Sequence, residues 1–154
     1  MWINLAVANS PVRIPVHPIP LQIKSQQNVF SYKVEIAFSS IHSMAGLMYR
    51  TDFPRNHAML FRNMISDKSK NKYKIFMWMA NTPLSLDMIF LDSEGIIVSI
   101  VENTIPFSTD IISSEVPAMF AIEVNAGEVS KKQIQIGQRV IHPVICGKCE
   151  SDKE

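Results

Sequence analysis

The chain has 154 residues, 47% of them hydrophobic and 19% charged, enough apolar material for one packed domain and too little length for two of ordinary size. Fifteen Lys and Arg against fourteen Asp and Glu leave a formal net charge of +1, so no global field favours nucleic acid or an acidic membrane as partner. No window approaches the roughly 18 uninterrupted apolar residues of a membrane span, and no repeat recurs at a fixed period.

The start, "MWINLAVANS", ends an apolar run in Ala6-Val7-Ala8, the small-x-small pattern of a signal-peptidase site, without the basic region or length of a whole signal peptide. It reads either as the stump of an export signal that begins upstream, which places the protein in the periplasm or outside the cell, or as an apolar tail on a cytoplasmic chain. Pro11, Pro15, Pro18 and Pro20 then remove backbone donors and hold their predecessors extended, so residues 1–27 read as an arm laid over the surface. A β domain is expected over 28–143 and a flexible tail over 144–154.

From Phe30 the pattern alternates strictly. Phe30, Tyr32, Val34, Ile36 and Phe38 take one face and Ser31, Lys33, Glu35 and Ala37 the other, the period of a half-buried strand. Ser39 and Ser40 can cap a short helix to about Ala45, stopped by Gly46. A proline-bearing loop leads to a short strand at Met59 to Phe61. Lys68, Lys70, Lys72 and Lys74 follow at spacing two, a solvated loop guarding the strand Tyr73 to Met79 rather than a phosphate or lipid contact. "LDMIFLDSEGIIVSIVE" is a hairpin turning on Asp92-Ser93-Glu94-Gly95. Beyond loops at Pro106 and Pro117, "AMFAIEV" is a strand, "NAGEVSKKQ" a short helix capped from Asn125, and Arg139 to His142 a last strand after Gly137. About six strands and two short helices predict a mainly β, α+β fold, an antiparallel sandwich or barrel-like single domain.

"GLMYR", "MLF", "MWMANTPLSLDMIF", "EVNAG" and "GQRV", in this order and rough spacing, resemble the domain of unknown function 192 family, small mostly β proteins of bacteria and archaea, many of them exported. The resemblance runs from about residue 34 to 141 and is carried most specifically by W-M-x-N-T-P-x-x-L-D. It implies a sandwich-like β domain and marks positions, with no activity attached. Ala80 stands where the family usually has Lys and Gln138 where it has Asp, and the lysine loop is several residues longer.

Asp87, set between Leu86 and Met88, must be hydrogen-bonded, paired or reached by solvent, because an isolated buried carboxylate is costly. The expected partner is Arg50, whose planar guanidinium can take a carboxylate with two parallel bonds. On one reading Arg50, Asn81, Thr82 and Asp87 are a polar staple tying loops to the sheet. On the other they form, with Trp78 as an aromatic platform, a ligand site for a small polar or carbohydrate-like molecule. Phe76 and Trp78 would then line a concave surface while Met77 and Met79 enter the core. Glu123 is a second carboxylate, so hydrolysis by Asp87 and Glu123 is an alternative to binding, and a structural or interaction module is a third.

Met44, Met48 and Met59 with His42 and His57 have the softness a copper site needs, but alternating apolar positions favour core packing, and neither metal nor cofactor is expected. Cys146 and Cys149, after His142, make half a metal site at most; a disordered tail or a short-loop disulfide are the other readings. The common hydrolase, phosphate-loop and zinc-protease motifs are missing. The sequence therefore predicts a bacterial, exported, non-catalytic binding module.

Overall fold

The computed structural model describes residues 9–64 and 73–146. Strands β1 (Leu21–Lys24) and β2 (Val29–Ala37) lead into helix α1 (Ser40–Ala45). Strands β3 (His57–Arg62), β4 (Lys74–Met77), β5 (Leu86–Leu91), β6 (Ile97–Val101), β7 (Ile112–Pro117) and β8 (Phe120–Asn125) follow, then helix α2 (Glu128–Lys132) and β9 (Arg139–Ile141). Seven strands form one sheet in the order β6-β5-β8-β3-β2-β1-β9, and β4 with β7 makes a separate two-stranded ribbon.

The large sheet curls until its edges meet. An antiparallel bridge joins Ile96 to Arg139, and Val140 N–H donates to Gly95 O at 2.8 Å, so the result is a nearly closed, barrel-like sheet in a single mainly β domain. Closure needs a glycine at 95: its φ is +87°, and a Cβ there would stand 2.5 Å from Val140 O. Pairing is antiparallel except between β2 and β3, whose parallel register runs from Lys33 opposite His57 to Ala37 opposite Phe61.

Side chains alternate in and out along each strand. Leu21, Tyr32, Val34, Leu60, Ile89, Ile122, Val124 and Val140 fill the interior. The odd positions of β2, β3 and β8 point outward, where Ala37, Met59, Phe61, Met88, Phe90 and Ala121 form a second core. That face is covered by the proline-rich arm through Ile14, by the loop after α1 through Leu47 and Phe53, and by the ribbon through Ile75. Double coverage explains why every residue of β5 is buried, polar Asp87 included.

The expected helix over 40–45 is present, with Ser39 Oγ accepting from His42 N at 3.1 Å and Gly46 at φ +47°. So is the 92–95 turn, where Asp92 Oδ1 accepts from the N–H groups of Glu94 and Ile96. Residues 21–24, read as part of the arm, pair with β2 and β9; residues 112–117, read as a loop, form β7 against β4. Val144 and Ile145, read as tail, pack on the interior core. Among the described residues no helix is long and apolar enough to cross a membrane.

Candidate functional site

The parity of β5 and β8 separates the two carboxylates that the sequence brought together. Asp87 lies opposite Val124 and shares the inward parity of Ile89, whereas Glu123 lies opposite Met88 and Met59 on the outward face. Asp87 is fully buried. Its Oδ1 accepts from Asn103 N at 2.9 Å and its Oδ2 from Gly127 N and Val129 N, each at 3.0 Å. Asp87 thus caps α2 from a neighbouring strand and ties the loop after β6 to the same point. Asn125, expected to cap that helix, instead donates from Nδ2 to Phe53 O at 2.7 Å, and the N-cap residue is Gly127.

Arg50 therefore does not pair with Asp87. Its guanidinium forms two bonds to Glu35, at 2.7 Å and 2.9 Å, and a third to Val12 O at 2.8 Å. Both members of the pair are buried. Alternation had placed Glu35 on a solvated face; because the arm, itself bridged to β2 between Val16 and Glu35, covers that face, the carboxylate needs a cation beneath it. No local pattern marks Glu35. The only signal is that Arg50, inside an apolar motif, requires an anion from somewhere.

Glu35, Met59 and Glu123 lie in register across three neighbouring strands. Strand spacing puts the two glutamates two strands, or about 10 Å, apart, with Met59 between them. Burial pushes the Glu123 carboxyl up to about 8 against the opposing pull of the Arg50 guanidinium, so it is protonated at neutral pH. Among the described residues its Oε2 is buried without a hydrogen-bond partner, and the same holds for Arg50 Nε.

Glu123 is part of the wall of a cavity of about 760 Å³. The sheet contributes Phe61 beside Glu123; the segment after α1 contributes Leu47, Met48 and Tyr49; the ribbon and its exit contribute Ile75, Phe76, Met77 and Trp78. The wall is mainly apolar, and Glu123 places one carboxylic acid within it. Such a cavity can hold a small, mostly apolar molecule and exchange one hydrogen-bonding group with it.

The other sequence-derived site residues divide. Trp78 lines the cavity, as does Thr82, whose Oγ1 donates to Ala80 O at 3.1 Å. Asn81 is exposed at φ +54° and its O accepts from Tyr49 N at 2.7 Å, which makes it a turn residue joining two wall segments. Phe76 and Trp78 are exposed and Met79 is fully buried, as expected, but Met77, expected in the core, is only partly buried and lines the same cavity. Met59 is core, whereas Met44 and Met48 line the cavity. Asp87 and Glu123 point to opposite faces of one sheet and cannot act as an acid and base pair on one substrate.

At the start of α2, beside the Asp87 cap, buried Glu128 accepts from Lys132 at 2.7 Å, from Tyr32 at 3.3 Å and from Arg55 at 3.3 Å. Buried His142 approaches Ile19 O at 2.9 Å through Nε2 and accepts from Val144 N at 3.2 Å through Nδ1, which fixes the proton on Nε2. Cys146 is disulfide-bonded. Ala6 to Ala8, Lys68, Lys70, Lys72 and Cys149 lie outside the described residues.

The model of the domain of unknown function 192 family, described as "Uncharacterized ACR", matches residues 21–142. A crystal structure of a candidate transcription regulator from Sinorhizobium meliloti 1021 is similar with a TM-score of 0.75 and 31% identity, over 84% of this chain and 97% of that one. A protein of unknown function from Novosphingobium aromaticivorans DSM 12444 shares the fold with a TM-score of 0.73 and 24% identity, over 92% of this chain and 99% of that one. No curated protein matches the chain.

Proposed function

Because the chain belongs to the domain of unknown function 192 family, whose description names no activity, we propose a function from the site itself: non-catalytic binding of a small amphiphilic ligand in the Glu123 cavity. One observation carries it. Glu123 is buried on the cavity wall with Oε2 unpartnered, and a buried polar atom without a partner is costly enough that native folds keep few of them. A ligand hydroxyl, carbonyl or amide would satisfy it, while the methionines, Phe76 and Trp78 take an apolar body. The lining favours one polar group on an apolar frame over a carbohydrate, whose many hydroxyls would meet few partners there.

Binding rather than hydrolysis is supported by the state of the neighbouring carboxylate. Glu35 is held by two bonds to Arg50 and so is not a free base beside the Glu123 acid. An extracytoplasmic setting is part of the proposal and is supported by the disulfide at Cys146, a bond that persists in oxidising compartments. The test is a thermal-shift screen of small amphiphiles on the wild type and Glu123→Leu. A ligand should raise the wild-type melting temperature and bind Glu123→Leu about tenfold more weakly, since one hydrogen bond is worth roughly 1 kcal/mol or more here. If no amphiphile stabilises the protein, or if the variant binds equally well, the proposal fails.

A further inference from the structure

The cavity opens through a rim that soluble proteins rarely present. Ile41 and Met44 of α1, Met64 beyond β3, and Phe76 and Trp78 of the ribbon and its exit all border it, and each is more than half exposed. Phe107 adjoins them, since its N–H donates to Thr82 O at 3.0 Å, and it too is exposed. Large apolar side chains scattered singly need no explanation, but a set gathered from separate segments around one opening does.

Among the described residues the exposed charge at the same rim is positive. Lys74 lines the cavity, as does Arg62, whose guanidinium lies over the Phe38 ring at 4.8 Å, both are exposed, and the acidic residue among the described lining is Glu123, protonated and buried beneath. A net charge of +1 for the whole chain conceals this local asymmetry. Apolar side chains flanked by cations, with an indole among them, match the order of a bilayer surface. There phosphates lie outermost, the interfacial zone that suits Trp comes next, and the acyl chains lie within.

We propose that the cavity mouth docks on an anionic lipid bilayer, with Ile41, Met44, Phe76 and Trp78 entering the interface and Arg62 and Lys74 meeting lipid phosphates. Docking orients the cavity toward the membrane. An amphiphile lying in the bilayer presents its polar end to the docked protein first, so that end travels furthest and reaches Glu123, while its apolar part follows and rests against the rim methionines. The identity of the ligand as membrane-borne rests on the binding proposal above; the docking does not.

Flotation of the full chain with vesicles of phosphatidylcholine alone, or mixed with phosphatidylglycerol, tests this. Binding to the anionic vesicles should exceed binding to the neutral ones by on the order of tenfold, since each surface cation contributes about a fivefold factor, and it should fall as salt rises. Phe76→Gln with Trp78→Gln should abolish flotation, and Lys74→Glu alone should reduce it severalfold; all three side chains are exposed, and a melting curve confirms that each variant is folded. Equal or absent binding to the two vesicle types overturns docking. So does salt-insensitive self-association lost in the same double variant, which would make a second copy the occupant. Ligand binding in solution without vesicles is measured separately, so docking can fail while the cavity proposal stands.

Discussion

Asp87 and Glu123 are two buried carboxyl groups on adjacent strands of one sheet, and they have opposite fates. Asp87 points inward and accepts three backbone N–H bonds. Glu123 points outward into an apolar cavity, where its Oε2 accepts none. Burial is common to both. What separates them is the supply of donors: the inward one holds the start of α2 and the loop after β6 in place, and the outward one stays protonated and available. A carboxyl saturated by backbone is part of the framework, and one left unsatisfied beside open volume is a candidate for a guest.

The largest effect expected from breaking this arrangement lies two strands further on, at Glu35. Arg50→Leu removes the cation from buried Glu35 and should destabilise the fold by about 3–5 kcal/mol, read as a shift of the urea midpoint at constant slope. Asp87→Ala should cost about 3 kcal/mol by orphaning the N–H groups of Asn103, Gly127 and Val129. Hydrogen exchange should locate the loss in α2 and the loop after β6, and an even loss over the whole chain would contradict the capping role.

Glu123 should behave in the opposite sense. Its pKa is raised to about 8 from an ordinary 4.5, so the folded protein keeps a proton that the unfolded chain releases, and stability is lost as pH rises from about 4.5 to about 8. Glu123→Gln removes that loss. At pH 7 the variant should be more stable than the wild type by roughly 3 kcal/mol, with the difference vanishing near pH 4. A variant less stable at pH 7 would mean that Glu123 is satisfied as a carboxylate and is not poised for a ligand.

The smallest effect sits at the other end of the barrel. Burial, and then the charge of His17, hold the His142 pKa below its ordinary value, against the raising contact with Ile19 O. The sign is that of a base kept neutral: its contribution is intact above about pH 6.5 and is lost as pH falls below it. His142→Gln should flatten the acid side of the stability profile between neutral pH and pH 5. The two titrations oppose one another, so each is read from the difference between wild type and variant.

Much of the fold was legible because it depends on short-range chemistry. Ser39 before an apolar run and Gly46 after it define α1, and Asp92 with Gly95 defines the β5–β6 turn. What escaped depended on cover from distant segments. Glu35 follows an alternation with Ser31 and Lys33, both exposed, and only the arm crossing beneath it turns a solvent position into a buried one. Gly95 read as a turn glycine, and its second requirement, clearance for the β9 backbone, comes from the closure of the sheet. At the site, Trp78, Thr82 and Glu123 were all singled out from the sequence and line the same cavity, while Asp87 belongs to the other face.

The sequence by itself determined that position 87 must meet donors and that Arg50 must meet an anion, because an uncompensated charge among apolar side chains is too costly for a stable fold. Only the tertiary structure decided which donors and which anion. Along one strand, alternation sets which side chains share a face, but strand order and register decide what lies opposite them, and a step of one residue in register exchanges the two faces of the sheet.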